Sequence, residues 1–127
     1  MYTYDYDLTY IPSMPVVEVE VSLVGQLEHP TRLAAMLDTG SDGSMMPLTV
    51  LKQMNARRVD QVAMRSITGA RSIVDIYQIS LRLGPYSFPK VRVAADRYNP
   101  IMILGRDVLN HMIIVLNGFA GTTEIHD

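Results

Sequence analysis

The chain contains no cysteine. That absence excludes disulfides, thiolate metal sites and a cysteine nucleophile together. It also lacks any strong excess of one charge, with eleven lysines and arginines against thirteen aspartates and glutamates and a net charge of −2. There is therefore no basic footprint for a nucleic acid, and the densest basic cluster is only Arg57-Arg58. No apolar run approaches the roughly 18 residues that a membrane span requires. The start, Met1-Tyr2-Thr3-Tyr4-Asp5, has neither the basic nor the apolar region of a signal peptide. On these grounds the default reading is a soluble cytoplasmic protein. Internal repeats, linkers and long polar tracts are missing too, so 127 residues with 48% hydrophobic content read as a single domain able to bury its own core.

What is present is a succession of short strand patterns. Residues 1–15 are tyrosine-rich and interrupted by Pro12 and Pro15, which suits an irregular or edge segment that is mobile or ordered by a partner. The domain proper is read as residues 16–127. Val17, Val19, Val21 and Leu23 alternate with Glu18, Glu20 and Ser22, the period-two pattern of a half-buried strand. Gly25 and His29-Pro30 mark a turn, and Thr31 to Leu37 forms a second strand running into Asp38. Val59 to Ser66 and Ser72 to Leu83 read as a hairpin around Thr68-Gly69-Ala70. Further strands follow at Phe88 to Ala94, Ile101 to Leu104, Ile113 to Leu116 and Thr122 to Ile125, with a short helix over Arg106 to His111. Many short strands joined by glycine and proline turns indicate an all-β, barrel-like domain.

Two segments carry the chemistry. In Leu37-Asp38-Thr39-Gly40-Ser41-Asp42 a carboxylate stands directly after an apolar strand, where burial would set it apart from a surface aspartate. In Ile103-Leu104-Gly105-Arg106-Asp107 a second apolar strand ends on glycine and a charge pair. Other groups offer less. His29, His111 and His126 lack close ligand spacing, so no metal or cofactor is expected, and no histidine is placed to activate Ser41 or Ser44 as a nucleophile. Most of the nine methionines read as core fillers, while Met45 and Met46, just beyond the Asp38 loop, could line a forgiving pocket.

Together these segments, with Ile67-Thr68-Gly69-Ala70 between them, resemble the retropepsin family of aspartic proteases over residues 16–127. The resemblance implies a closed, mostly antiparallel β-barrel with one short helix near the C-terminus, assembled as a homodimer that hydrolyses peptide bonds. Asp38, Thr39 and Gly40 would be the catalytic motif, with Thr39 reaching across the dimer axis and Gly40 letting the backbone approach substrate. Ser41 would hydrogen-bond Asp38, and Asp42 would pair with Arg106 beneath the site. Ser41, Asp42 and Gly43 would contact substrate on one side, and the flap residues Ile67, Thr68, Gly69 and Ala70 on the other. Leu104, Gly105, Arg106 and Asp107 would support the site. The chain departs from the viral pattern in having a single flap glycine and in placing Gly43 where an acidic residue is common, which implies a less charge-selective subsite. A peptide-binding or purely dimerising module of the same fold is the alternative function.

Overall fold

A computed structural model describes residues 1–127. It is mostly β, with ten strands and two short helices: β1 (Tyr2–Asp5), β2 (Val16–Leu23), β3 (Gln26–Leu37), β4 (Met45–Pro47), α1 (Leu48–Gln53), β5 (Arg57–Arg65), β6 (Arg71–Leu83), β7 (Tyr86–Asp96), β8 (Met102–Leu104), α2 (Arg106–Leu109), β9 (Ile113–Asn117) and β10 (Thr122–His126). The larger sheet has the order β2-β3-β8-β4-β7-β6-β5, and β2 also pairs with β6, so the hydrogen-bonded order returns on itself as a ring. A separate three-stranded sheet, β1-β10-β9, carries both chain ends. No helix is long and apolar enough to cross a membrane.

The alternation read from β2 sets the core. Val17, Val19 and Val21 are at most 2% exposed, and Ile79, Leu81, Leu83, Val91 and Val93 of β6 and β7 close over them. Met46, Leu51, Met102, Leu104 and Ile125 complete the same cluster, which ties the terminal sheet to the ring. One buried polar atom lies apart from this economy. The Thr123 hydroxyl is fully enclosed and has no hydrogen-bond partner. An unpaired buried hydroxyl costs stability, and valine has nearly the same shape without it. Thr123→Val is therefore expected to raise stability by about 1 kcal/mol, read as a shift of the urea midpoint at unchanged slope.

The structure corrects the sequence reading at several points. There are two helices rather than one, since α1 follows Pro47 and buries Leu51. Its six residues give too little periodicity to separate from a loop. α2 ends at Leu109 instead of His111. β3 begins at Gln26, because the chain turns at Gly25 (φ 77°) and accommodates His29-Pro30 as an irregularity inside the strand, with His29 at φ 62°. At the N-terminus, Tyr2–Asp5 is the edge strand of the terminal sheet and pairs with Thr122–Ile125 of the same chain, so β10 orders it.

Candidate functional site

The site begins where β3 and β8 run parallel, with Leu37 opposite Leu104. Two parallel strands that end together leave backbone groups unpaired at their carboxyl ends, and the loop after β3 is bound through them. The Asp38 amide donates to the Leu104 carbonyl at 3.0 Å, and the Arg106 amide donates to the Ser41 carbonyl at 2.9 Å. The Asp38 carboxylate is half-buried, and its Oδ1 accepts a hydrogen bond from the Gly40 amide at 3.0 Å. Thr39 is exposed and its hydroxyl has no partner within the chain, while its carbonyl accepts from Arg106 Nη1 at 2.8 Å.

Two support roles differ from the sequence reading. The Ser41 hydroxyl donates to the Gly43 carbonyl at 2.7 Å and does not contact Asp38; the Gly40 amide occupies that place. Asp42 and Arg106 form no ion pair, because the guanidinium turns to the Thr39 carbonyl and leaves Asp42 exposed. The carboxylate that braces the loop is Asp107. It accepts from the Ser44 hydroxyl at 2.7 Å and the Ser44 amide at 3.2 Å, and the Ser44 oxygen in turn accepts from the Gly105 amide at 3.0 Å. Ser44 is 1% exposed. No motif marks this link, since a serine between Gly43 and Met45 looks like any loop serine until the path of residues 105–107 is known.

That link has a measurable cost of removal. Ser44→Ala would strand the buried Gly105 amide and take a hydroxyl donor from Asp107. A loss of about 2 kcal/mol in unfolding free energy is expected, checked by chemical denaturation.

Above the loop stands the hairpin of β5 and β6. Its tip is closed by the Ser66 amide on the Ala70 carbonyl and the Gly69 amide on the Ser66 carbonyl, both at 2.9 Å. Gly69 has φ 84°, a conformation that favours glycine. Ile67, Thr68, Gly69 and Ala70 are all exposed, Ile67 completely. The base of the hairpin is strapped from the side. Asp60 is held below the ordinary aspartate range by the Gln61 amide and by Arg92, and Asp75 by the Gln61 side chain and by Arg58. Whatever stability these straps give is present above the ordinary aspartate range and fades only as pH falls through the depressed values. The arginine of each strap is solvent-exposed, so salt weakens both.

Between hairpin and loop lie two cavities. One of about 370 Å³ is lined by Asp42, Gly43 and Ser44 below, Val62 to Arg65 above, and Ile76, Arg92 and Ala94 at the side. The other, about 350 Å³, lies between Met45, the strands flanking the hairpin tip and residues 95–98. The structure thus brings Asp42 and Gly43 to a cleft wall with the hairpin strands opposite, and places Met45 in the neighbouring cavity, while Met46 is core. No three histidine, aspartate or glutamate side chains come close enough to hold a metal ion.

Comparison with known proteins places this arrangement in context. Residues 19–108 match the family model described as aspartyl protease. No curated protein sequence gives a significant match. Among solved structures, the chain is similar to a retropepsin-like aspartic protease from Rickettsia conorii, with 10% identity, a TM-score of 0.68, and coverage of 98% of this chain and 88% of that one. It is similar also to the EIAV protease, with 21% identity, a TM-score of 0.62, and 85% and 93% coverage. The retroviral protease-like domain of Ddi1 from Leishmania major shares 15% identity at a TM-score of 0.53, with 89% and 90% coverage. At these identities the structural likeness establishes a shared fold.

Proposed function

The chain belongs to the aspartyl protease family, and from that premise we propose that it is an aspartic endopeptidase whose active form is a homodimer, each copy supplying one Asp38. The observation that carries this reading is the single Asp38, half-buried at the end of the paired strands β3 and β8, with one oxygen held by the Gly40 amide and the other without a partner in the chain. Hydrolysing an amide with carboxylates needs one ionised group to take a proton from water and one protonated group to polarise the scissile carbonyl. Two close carboxylates meet both needs by sharing a proton, and aspartic proteases are the established example. One chain has half of that pair, and a twofold axis beside Asp38 completes it.

The geometry supports the remaining roles of this reading. The free Thr39 hydroxyl is available to the loop of a second copy, which would hold the two carboxylates in one plane. Gly40 orients Asp38 from within, and a side chain there would bring a Cβ to 3.2 Å from Asp38 Oδ1. An extended peptide lies between the loop and the β5–β6 hairpin as an added strand, with alternate side chains entering opposite pockets. The tip at Ile67 to Ala70 closes over it as a flap. Asp42 and Gly43 line one subsite, and Met45 the next. Water held between the two Asp38 carboxylates attacks the scissile carbonyl directly, without a covalent intermediate. The ring of strands is read as a closed barrel that holds the floor of the site rigid.

The test is cleavage of a mixed peptide library from about pH 3 to about pH 8, followed over a dilution series of the protein. Activity that rises more than linearly with protein concentration at high dilution is the expected result. A folded dimer that captures peptides without cutting any would instead identify a peptide-binding module.

A further inference from the structure

The hairpin of β5 and β6 breaks a pairing rule just below its tip. Arg65 and Arg71 stand directly opposite each other in its register, one step from the Ser66–Ala70 closure. Like charges facing each other across antiparallel strands weaken the ladder, and an acidic residue at either position would strengthen it. Both side chains are exposed, and neither takes part in an ion pair within the chain. A local rule broken without compensation inside the fold points to a functional position. Arg65 also lines the cavity of about 350 Å³ beside Met45, and Arg97 lines the same cavity from the segment after β7. Arg97 too is exposed and forms no ion pair. The two carboxylates of this cavity, by contrast, are already engaged. Asp96 is 4% exposed and accepts the Tyr98 and Asn99 amides at 2.9 and 3.2 Å and the Asn99 side chain at 2.8 Å. Asp75 accepts from the Gln61 side chain at 2.8 Å and lies 3.4 Å from Arg58. What stays unanswered is positive charge on two sides of a cavity whose remaining walls include Met45, Met64 and Tyr98.

We infer that this cavity is the subsite for an acidic side chain of the peptide, a glutamate whose carboxylate is held between Arg65 and Arg97. The inference rests on the reading of the site as a peptide-cleaving cleft and names the substrate class that the cleft selects. Guanidinium groups grip a carboxylate through short, charge-assisted hydrogen bonds. The methylenes of the glutamate lie on Met45 and Met64, whose flexible thioethers adapt to an unbranched stem. The neighbouring cavity has the opposite bias. Its Arg92 is already paired with Asp60 at 2.6 Å, and Asp42 lines it without a partner, so the acidic preference belongs to one subsite alone. A carboxylate bound to Arg65 also offsets the repulsion from Arg71, so an acidic substrate tightens the hairpin that covers it.

The test uses the full-length protein and the best-cleaved library peptide, with each position around the scissile bond replaced in turn by glutamate and by glutamine. At one position, or at two related across the bond by the twofold axis, glutamate should be favoured by about tenfold or more in kcat/KM, chiefly through KM. Added salt should shrink that preference. The double variant Arg65→Gln, Arg97→Gln should bring it below about twofold. Arg65→Glu should reverse it, so that lysine is cut faster than glutamate at that position. The thermal midpoint of this variant should not fall, because the substitution sets opposite charges across the ladder. Arg57→Gln, at an exposed arginine on the same strand that borders neither cavity, should leave the preference unchanged. Glutamate and glutamine peptides cut within about twofold of each other at every position, by a protein whose cleavage requires Asp38, overturn the acidic subsite and leave the protease reading intact. A preference that survives the loss of both arginines does the same. If nothing is cut, the binding of labelled glutamate-rich and glutamine-rich peptide pools, read by fluorescence anisotropy, decides. Tighter binding of the glutamate pool that is lost in the double variant keeps the acidic site and ends the protease reading, whereas equal or absent binding ends both.

Discussion

Asp38→Asn should lower the rate of peptide cleavage by about 10⁴-fold or more while leaving the protein folded and dimeric. On the proposed mechanism the chemical loss is large, because an amide can neither take a proton from water nor share one with its twin, and in a homodimer the substitution removes both members of the pair at once. The structural loss is small because Asp38 makes a single side-chain hydrogen bond, from the Gly40 amide to Oδ1, which the Asn carbonyl oxygen can still accept. In the proposed homodimer, removing two facing carboxylates also relieves their repulsion, so that dimer should hold at least as tightly as in the wild type. The measurement is the initial rate on the best library peptide, beside the thermal midpoint and the sedimentation profile of the same preparations. A variant within tenfold of wild-type activity at unchanged stability would mean that the cleaving group lies elsewhere. A variant that unfolds would mean that Asp38 is part of the scaffold, contrary to its lone hydrogen bond.

The strands whose neighbours along the chain decide their fate could be read directly. Val17, Val19 and Val21 alternate with polar residues because one face of β2 meets the core, and the structure buries all three. The hairpin of β5 and β6 announced itself through Gly69, whose positive φ closes the tip. What could not be read was the choice of partner across long sequence separation. Asp42 and Asp107 are the carboxylates that follow Asp38 in the two chemistry-bearing segments, and spacing alone does not decide which of them braces the loop. The backbone path decides: Gly105 runs against Ser41 and Gly43, which delivers Asp107 to Ser44 and turns Arg106 outward to the Thr39 carbonyl. In the same way, the tyrosines of β1 read only as an irregular or edge segment, because the strand that orders them, β10, is the last in the chain. Elements as short as β4 and α1 carry too few residues to show any period.

The close approach of Gly105 to the loop leads to the second large effect, for Gly105→Ala. The backbone at this position, φ −95° and ψ −174°, is extended and open to any residue, so glycine is not needed there for its torsional freedom. It is needed for space. A Cβ would stand 2.6 Å from the Gly43 carbonyl oxygen, 2.7 Å from its carbon and 2.9 Å from the Ser41 carbonyl oxygen, all of them backbone atoms that no rotamer change can move. The loop must therefore shift away from β8, and with it the Arg106–Ser41 and Gly105–Ser44 hydrogen bonds that hold Asp38 in place. A loss of about 3 kcal/mol in stability is expected, from overpacking together with weakened buried hydrogen bonds. Activity should fall by about 10²-fold even where the variant is fully folded, since displacing a catalytic group by about 1 Å has that effect. Gly43→Ala is the internal control for stability, because a Cβ there meets nothing within 4 Å although it lies on the same loop. The denaturation midpoints of the two variants should separate widely. Equal stability for both would show that the loop yields to a methyl group at no cost, and the Asp38 site would then owe its geometry to the second subunit rather than to β8.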